Sequence, residues 1–222
     1  MTLGIPKPAA ERLARLAQLM EHRNDPEAPI SSAEIEYLTG WPSHTIRKDI
    51  SHLAAGADIS TPTGYHPLRL AQAIRTALGF TDEAQNCCVV GLGRIGSAFL
   101  DYAGFNGSPF TLCAGFDSNV NRVEILKADF PLYPSFKMKE IIPRLGIRYA
   151  ILSVPPDQAR QTALRLAECG IVGIVNFTPV MLSVPPHVEV EQVSALDALG
   201  SLAARLAIRE RDEPAKPEPN AP

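Results

Sequence analysis

Residues 87–100 read CCVVGLGRIGSAFL, a short apolar run followed by a loop that carries three glycines. The loop matches the GxGxxG pattern that joins the first strand of a parallel sheet to a helix and binds a dinucleotide. The first glycine permits the tight turn, the second lets the backbone approach a pyrophosphate, and the third lets the helix pack against the strand. The predicted phosphate-binding loop is Gly91, Leu92, Gly93, Arg94, Ile95 and Gly96, which offers the free N–H groups of a helix start to phosphate oxygens.

The second predicted strand, TLCAGFD, ends on an acidic residue. Asp117 follows Gly96 by 21 residues, close to the spacing of about 20 expected for a ribose-binding carboxylate. This carboxylate can accept hydrogen bonds from both hydroxyls of an adenosine ribose and repels a 2′-phosphate, so the pattern favours NAD(H) over NADP(H). Arg122, one helical turn further on, weakens that preference slightly. The alternative is a domain of the same fold with an empty or different nucleotide site.

Residues 85–193 alternate short apolar runs with helical patterns. We predict strands near 86–91, 111–117, 130–133, 148–154, 171–176 and 188–193, and helices near 95–103, 120–127, 137–145, 157–169 and 195–208. This alternation with short connections is typical of a doubly wound parallel sheet of the Rossmann type, an α/β fold.

Two loops at predicted strand ends are candidates for the nicotinamide half of the ligand, because ligands of such sheets bind at the carboxyl ends of the strands. The first contains Ser153, Val154 and Pro155, and the second contains Asn176, Phe177 and Thr178. For each loop, the alternative is a connection in which the following proline does no more than stop the strand.

Helical periodicity dominates the region before residue 82. A first helix carries Leu13, Leu16, Leu19 and Met20 on one side, and a second, opened by a capping box at residues 31–34, carries Ile35 and Leu38 inward. The sequence TGWP at 39–42 breaks the second helix, and a third runs from residue 43 to about 53. This order is typical of a helix-turn-helix unit.

The third helix has a buried stripe formed by Ile46, Ile50 and Leu53. Its opposite face presents short hydrogen-bonding groups and two adjacent cations, which suit insertion into the major groove of DNA. The candidate DNA-binding residues are Ser43, His44, Thr45, Arg47 and Lys48, together with Lys7 near the amino terminus. The alternative is a solvated amphipathic helix in a small bundle. Because acidic residues balance the cations of this region, we expect modest and salt-sensitive affinity for DNA.

Composition excludes several other classes of protein. The 222 residues carry a net charge of −3 and four cysteines, whose spacing fits neither a zinc site nor a disulfide framework, so we expect four buried thiols and no metal. An apolar run long enough to cross a membrane and a signal peptide are both missing, which predicts a cytoplasmic protein. The charged, proline-rich tail at 210–222 is expected to be disordered.

An oxidoreductase is the weaker functional hypothesis. Hydride transfer needs an acid or base beside the nicotinamide, and the sequence has no histidine between Gly91 and Pro186. Tyr102 lacks the lysine four residues on that a tyrosine–lysine reductase has. After the sixth predicted strand, too little chain remains for a substrate domain.

The ordered set IPKPAAERLARL, SHTIRKD, GLGRIGSAFLDY, AGFD, SVP and NFTP resembles the Rex family of redox-sensing transcriptional repressors over residues 3–209. The resemblance implies an all-α winged-helix domain at 1–82, a Rossmann domain at 83–193 that binds NADH and NAD+, and a helix at 194–209 exchanged within a homodimer. It implies a repressor that NADH releases from a pseudo-palindromic DNA operator, and it assigns SHTIRKD to recognition and Tyr102 to sensing.

Two departures from the family pattern leave an alternative open. The wing segment ADISTPTGYHP keeps Gly64 and Tyr65 but has no lysine or arginine, which implies fewer phosphate contacts. In the family, an aspartate at the start of the last helix pairs with the arginine that matches Arg12. Here Ser194 takes that position, with Asp197 as the candidate substitute. The alternative is a relative that binds dinucleotide and dimerises but has altered or lost its redox response or its DNA binding.

Overall fold

Four helices and a short hairpin form the first unit, Met1–Glu83, in the computed structural model, which describes residues 4–53, 58–80 and 84–212. These elements are α1 (Lys7–Glu21), α2 (Ser32–Thr39), α3 (Ser43–Ile50), β1 (Ser60–Thr61), β2 (Gly64–Tyr65) and α4 (Pro67–Ala77). The predicted boundary at residues 82 and 83 lies outside the described residues. The hairpin adds a small antiparallel sheet to a unit that the sequence indicated as all-α.

The predicted capping box and glycine stop delimit α2. The Ser31 hydroxyl accepts a hydrogen bond from the Glu34 amide at 3.2 Å, and the Glu34 carboxylate accepts one from the Ser31 amide at 2.8 Å. The hydrogen bonds that the Glu34 carboxylate accepts from the Ser31 amide and hydroxyl hold the pKa of Glu34 below its usual value. Gly40 ends the helix with a left-handed φ of 73°, which costs glycine little.

The core of this unit joins all four helices, with Leu13, Met20, Ile35, Ile46 and Leu70 fully buried. Two of the predicted inward residues are exposed instead, and those predictions were wrong: Leu19 is 37% and Leu38 56% exposed. Leu19 lies about 100° around α1 from Met20, outside the buried stripe. On α2, a helix of only eight residues, Ile35 is the buried residue, and Leu38 lies at the rim of the contact.

The hairpin is attached to the helices through a backbone bridge. Tyr65 donates from its amide to the Ile30 carbonyl at 2.8 Å, and Ile30 donates to the Tyr65 carbonyl at 2.9 Å. A Cβ on Gly64, the residue before Tyr65, would lie 2.3 Å from the Ile30 carbonyl oxygen. Position 64 therefore requires glycine because of this close approach.

An ion pair that the sequence pattern did not indicate joins α1 to α3. Arg12 donates from Nε to Asp49 Oδ2 at 2.6 Å and from a terminal nitrogen to Oδ1 at 2.9 Å. Asp49 is 5% exposed. The hydrogen bonds to Asp49 raise the pKa of Arg12. The pair fixes the axial position of α3 against α1 by a bidentate contact.

The second unit, Ala84–Pro222, is built on a six-stranded sheet. Its strands are β3 (Gln85–Val90), β4 (Phe110–Asp117), β5 (Leu132–Pro134), β6 (Tyr149–Leu152), β7 (Gly173–Asn176) and β8 (Glu189–Gln192). Their order is β5-β4-β3-β6-β7-β8, and every neighbouring pair is parallel. The predicted doubly wound parallel sheet is confirmed.

Helices lie on both faces of this sheet. They are α5 (Arg94–Ser97), α6 (Val120–Ile125), α7 (Met138–Arg144) and α8 (Pro156–Glu168), and a last helix, α9 (Ala195–Asp212), follows β8 without packing on the sheet. One apolar core contains Phe116, Met138 and Leu166, and a second, on the other face, contains Val89 and Leu92. The single strand β3 contributes Val90 to the first core and Val89 to the second, as the period of two requires.

Helix α5 is shorter than the predicted helix at 95–103. After Ser97 the amides bond three residues back instead of four, as in Phe99 to Gly96 at 3.2 Å and Leu100 to Ser97 at 3.1 Å. These tighter turns end the α-helix and lead into a 3₁₀ turn at Ala103–Phe105.

Helix α9 is longer than predicted and is exposed along its length. It continues to Asp212, so residues 210–212, placed in the tail by the sequence prediction, are helical, and the rest of the predicted tail lies outside the described residues. Its exposed apolar side chains include Leu196, Leu199 and Leu202. None of the described helices is both long enough and apolar enough to cross a membrane.

We expect Arg12→Ala to lower the free energy of unfolding by about 2–4 kcal/mol, because it leaves the Asp49 carboxylate buried and unpaired. Asp49→Ala should cost less, because the Arg12 side chain is 30% exposed and remains in contact with water. The double variant should lose at least about 1 kcal/mol less than the sum. Urea titration followed by the fluorescence of Trp41, the one tryptophan of the chain, measures this. Arg69→Ala, which breaks an exposed pair with Asp58, is the control and should cost under about 1 kcal/mol. Strictly additive losses at positions 12 and 49 would contradict the assignment.

Candidate functional site

The strand order of the second unit reverses between β3 and β6. The connection after β3 crosses to one side of the sheet and the connection after β6 to the other, so a crevice opens at their carboxyl ends. Gly91 follows β3 and Ser153 follows β6. This crevice is where open parallel sheets bind ligands.

Two of the three glycines of the loop occupy positions without room for a side chain. Gly91 has a left-handed φ of 91°, and a Cβ there would lie 2.6 Å from the Ser153 carbonyl oxygen. A Cβ on Gly96 would lie 1.8 Å from the Gly91 carbonyl oxygen. By contrast, a Cβ on Gly93 would meet no described atom within 4 Å. The first and third glycines are needed for internal packing, and the second leaves space for a ligand.

Ser153 ties the β6 loop to the glycine loop. Its hydroxyl donates to the Gly91 carbonyl at 2.7 Å, and its amide donates to the Val90 carbonyl at 2.9 Å. The sequence placed Ser153 at the nicotinamide end of the ligand. In the structure, its side chain holds the backbone that forms the floor of the crevice.

Asp117 lies at the end of β4 and is 4% exposed. Its Oδ2 accepts from the Leu92 amide at 2.7 Å and from the Arg122 guanidinium at 3.0 Å, and its Oδ1 accepts from the Asn119 amide at 2.7 Å. The carboxylate thus joins the glycine loop to the start of α6. The Arg122 donor is exposed, with 43% of its side chain accessible.

These parts line one cavity of about 530 Å³. Its lining includes Gly91, Gly93, Arg94 and Ile95 of the glycine loop, together with Asp117, Arg122 and the loop at 153–155. Leu92 and Gly96 of the predicted loop are not among the lining residues, because Leu92 packs in the apolar core and Gly96 packs against Gly91. The sequence reasoning did not identify ten further lining residues, which lie at the ends of β3 and β4, before α6, from the end of β5 to the start of α7, and on one face of α8: Val90, Phe116, Ser118, Asn119, Ser135, Met138, Gln158, Gln161, Thr162 and Arg165. The polar spacing of three to four residues after residue 155 was the signal that could have found the α8 face.

The loop after β7 is held from within. Asn176 is completely buried, and its Oδ1 accepts from the amide and the hydroxyl of Thr178 at 3.0 and 2.8 Å. The Phe177 ring packs edge-on against Phe99, with ring centroids 5.4 Å apart. None of the three predicted residues of this loop is among those that line the cavity. Asn176 and Thr178 therefore act by shaping the loop.

Tyr102 lies outside this cavity. Its ring is 58% exposed and packs edge-on against Phe99 and Phe105, at centroid distances of 6.1 and 5.9 Å. It lines a second hollow of about 490 Å³ at the start of β4. A run of aromatic contacts, from Phe177 through Phe99 to Tyr102, connects the β7 loop with this hollow.

The predicted recognition helix presents three of its five candidate side chains to solvent, namely His44, Arg47 and Lys48. Arg47 donates to the Ser32 hydroxyl at 2.8 Å, which orients it from α2. Thr45 is half-buried, and Lys7 lies exposed at the first residue of α1.

Ser43 is engaged inside the unit. Its amide donates to the Glu36 carboxylate at 3.0 Å, and its hydroxyl donates to the same carboxylate. Hydrogen bonds from Ser43 lower the pKa of Glu36. Glu36, which the sequence reasoning missed, caps the amino end of α3 from the neighbouring helix.

The predicted switch residues have partners within their own units. Arg12 is bound to Asp49, as described above. The Ser194 hydroxyl accepts from the Asp197 amide at 3.2 Å and so caps α9. Asp197 is exposed in the first turn of that helix.

Three of the four cysteines are buried and Cys113 is half-buried. Burial raises the pKa of the Cys87 thiol to about 12 and also raises the pKa of Cys88. These thiols are protonated at neutral pH and are poor nucleophiles. No group of three or more metal-ligating side chains occurs within residues 4–53, 58–80 and 84–212.

Comparison with known proteins bears on both units. Residues 82–180 match a family model described as a CoA binding domain. The redox-sensing transcriptional repressor Rex of Exiguobacterium sibiricum is 34% identical over 89% of this chain and 90% of its own length. The Rex protein of Listeria welshimeri is 30% identical over 90% of this chain and 93% of its own.

Solved structures agree with these relatives. RSP, a Rex-family repressor, superposes in its complex with β-NADH with a TM-score of 0.77 at 30% identity, covering 93% of this chain and 96% of its own. Its complex with β-NAD+ and operator DNA superposes with a TM-score of 0.76 at 32% identity, covering 93% of this chain and 94% of its own. The likeness extends over both units, and the chain belongs to the Rex family of redox-sensing transcriptional repressors.

Proposed function

We propose that this protein is a homodimeric repressor that binds an operator and releases it when NADH replaces NAD+ in the crevice of the second unit. The observation that carries the proposal is the single cavity in which the glycine loop, Asp117 and the 153–155 loop meet. A helix-turn-helix unit on the same chain supplies the second activity. RSP, similar over nearly the whole chain, has been crystallised with each of these ligands.

The glycine loop is the proposed pyrophosphate site. The space beside Gly93 allows two phosphates to approach the backbone amides, and Arg94 and Arg165 line the same cavity. Asp117 is the proposed ribose ligand. Because it already accepts three hydrogen bonds, ribose hydroxyls compete with its exposed partner Arg122.

The nicotinamide end is the part that distinguishes the two redox forms. The oxidised ring is a cation and the reduced ring is neutral, so only contacts at this end change on reduction. The loops at 153–155 and 176–178 and the ring of Tyr102 are the proposed sensing groups. A shift between two dimer arrangements requires that NADH bind one of them more tightly than the other.

The exposed face of α3 is the proposed DNA-reading surface. His44, Arg47 and Lys48 can reach base edges or phosphates, while Ser43 and Thr45 support the helix start. A two-fold dimer presents two such helices, which implies a pseudo-palindromic operator with half-sites one or two helical turns apart. We propose that the protein acts in the cytoplasm, where a dinucleotide and operator DNA are both accessible.

The exposed leucines of α9 support dimerisation. An 18-residue helix with Leu196, Leu199 and Leu202 in solvent leaves an apolar face that a second copy of the chain can cover. Exchange of this helix within the dimer is the arrangement that the family resemblance implies.

Catalysis has no place in the proposal. Among the described residues, those that line the cavity include no histidine, lysine or tyrosine, the side chains that most often exchange a proton with a reacting carbonyl. The one acid of the lining, Asp117, is already bound to Arg122.

A second candidate is a dinucleotide-binding relative whose DNA binding does not respond to redox state. It is favoured by one observation: Arg12 is bound to Asp49, and Ser194 is occupied in capping α9. The two candidates differ in what NADH does to a bound operator.

Band shifts on operator fragments with NADH and NAD+ test the proposal. We expect saturating NADH to weaken operator binding at least tenfold and NAD+ to change it little, because the two forms bias the dimer differently. Equal effects of both dinucleotides would favour the second candidate, and loss of all specific DNA binding would overturn the proposal.

The Arg47→Ala, Lys48→Ala double variant should weaken binding to every sequence tested and lower the slope of log affinity against log salt by about two, since two phosphate-neutralising cations are lost. Arg144→Ala removes an exposed cation of the second unit and serves as the control with an unchanged slope. A double variant that binds DNA like the parent would contradict the assignment of α3.

Arg122→Ala tests the ribose site. Removing the guanidinium leaves the charge of Asp117 unneutralised, so NADPH should bind at least tenfold more weakly while NADH binding changes by less than about threefold. Calorimetric titration with both dinucleotides measures the two affinities, and Arg160→Ala, outside the residues that line the cavity, is the control. An NADPH affinity that is unchanged would remove Arg122 from the specificity argument.

Gly96→Ala tests the close packing of Gly96 against Gly91 within the glycine loop. The added Cβ meets the Gly91 carbonyl oxygen at 1.8 Å, so the loop must shift and NADH affinity should fall by tenfold or more. Gly146→Ala is a suitable control for a glycine whose Cβ meets open space, and it should cost stability, through its left-handed φ, but little affinity. Full NADH affinity in Gly96→Ala would contradict this geometry.

A further inference from the structure

Gln192 is the last residue of β8 and lies opposite Asn176 in the parallel register of β7 and β8. Its side-chain amide makes two hydrogen bonds. Oε1 accepts from Asn176 Nδ2 at 2.7 Å, and Nε2 donates to the Thr178 carbonyl at 2.7 Å. One amide therefore binds both ends of the turn that follows β7.

The backbone strengthens this contact. The Val193 amide donates to the Asn176 carbonyl at 2.9 Å, immediately after Gln192 along the chain. Asn176 Nδ2 also donates to the Val180 carbonyl at 2.8 Å. Asn176 and Thr178 are buried, whereas Gln192 is exposed. Because all of these groups are paired, a change of position of the 177–180 turn breaks several bonds at once or moves β8 with it.

The start of α9 lies directly beyond this contact. Ser194 caps the helix through its hydroxyl to the Asp197 amide, and its carbonyl accepts from the Ala198 amide at 3.1 Å. The cap Ser194 lies two residues beyond Gln192, a span of about 7 Å at most. So short a connection has no slack to absorb a displacement of the strand end.

We propose that Gln192 is a positioning residue that transmits the position of the 177–180 turn to the root of α9. This inference rests on the proposed function in one respect, namely that the turn faces the nicotinamide. The amide is suited to the task because it donates to the turn and accepts from the strand, which fixes both the spacing and the register of the two segments.

The test compares Gln192→Met with Glu191→Gln in the full-length protein. Methionine keeps the length of the side chain but removes both hydrogen bonds, while residue 191 points to the opposite face of the same strand and is exposed. Three quantities are measured: the Kd for NADH and NAD+, the Kd for operator without dinucleotide, and the factor by which NADH weakens operator binding.

We expect Gln192→Met to keep both dinucleotide affinities and the operator affinity within about threefold, and to reduce the effect of NADH on operator binding at least tenfold. Glu191→Gln should match the parent in all three. An NADH effect of parental size in Gln192→Met would overturn the inference. So would a loss of dinucleotide affinity in parallel with the loss of response, since that result describes a structural support and not a coupling.

Hydrogen exchange separates this inference from the proposed function. NADH should alter the exchange of amides at the start of α9 in the parent protein and leave them unaltered in Gln192→Met, a readout that needs dinucleotide binding but no DNA. If NADH changes α9 in the parent but leaves operator binding unaffected, the proposed function fails and the positioning role stands. If α9 responds equally in both proteins, the positioning role fails alone.

Discussion

The second unit depends on the close backbone approach of the loops that follow its two central strands, β3 and β6. Gly91 and Gly96 bring the loop after β3 so close to itself and to Ser153 that neither position has space for a Cβ atom. The Ser153 hydroxyl fills the remaining gap with a hydrogen bond to the Gly91 carbonyl. The connections after β3 and β6 leave the sheet on opposite sides at this point, which opens a crevice between them. The two loops that pack together here therefore also line the cavity.

Buried carboxylates fix elements in both units: Asp117 beside the cavity and Asp49 on α3. Asp117 joins three segments of the second unit, and Asp49 joins α3 to α1 in the first. Removing a carboxylate from water costs several kcal/mol, and charged, bidentate or multiple donors offset that cost. In both cases the arginine partner is the more exposed member of the pair.

The turn after β7, whose residues do not line the cavity, follows a different principle. It is held by hydrogen bonds between neutral groups: Asn176, Thr178 and Gln192 bond to one another and to the backbone of a single turn. A network of this kind tolerates no partial loss, because an unpaired buried amide costs about 1–3 kcal/mol. A displacement of this turn therefore has to break several of these hydrogen bonds together.

The sequence by itself determined the elements that local chemistry fixes. The GxGxxG loop, the acid after the second strand, the capping box at Ser31 and the stop at Gly40 each depend on residues a few positions apart, and the parallel sheet follows from the alternation of patterns. Tertiary structure alone decided the partners of long side chains. Arg12 pairs with Asp49 across 37 residues, and Asn176 pairs with Gln192 across 16. Such pairs arise from packing between elements, and their spacing along the chain carries no periodic signal.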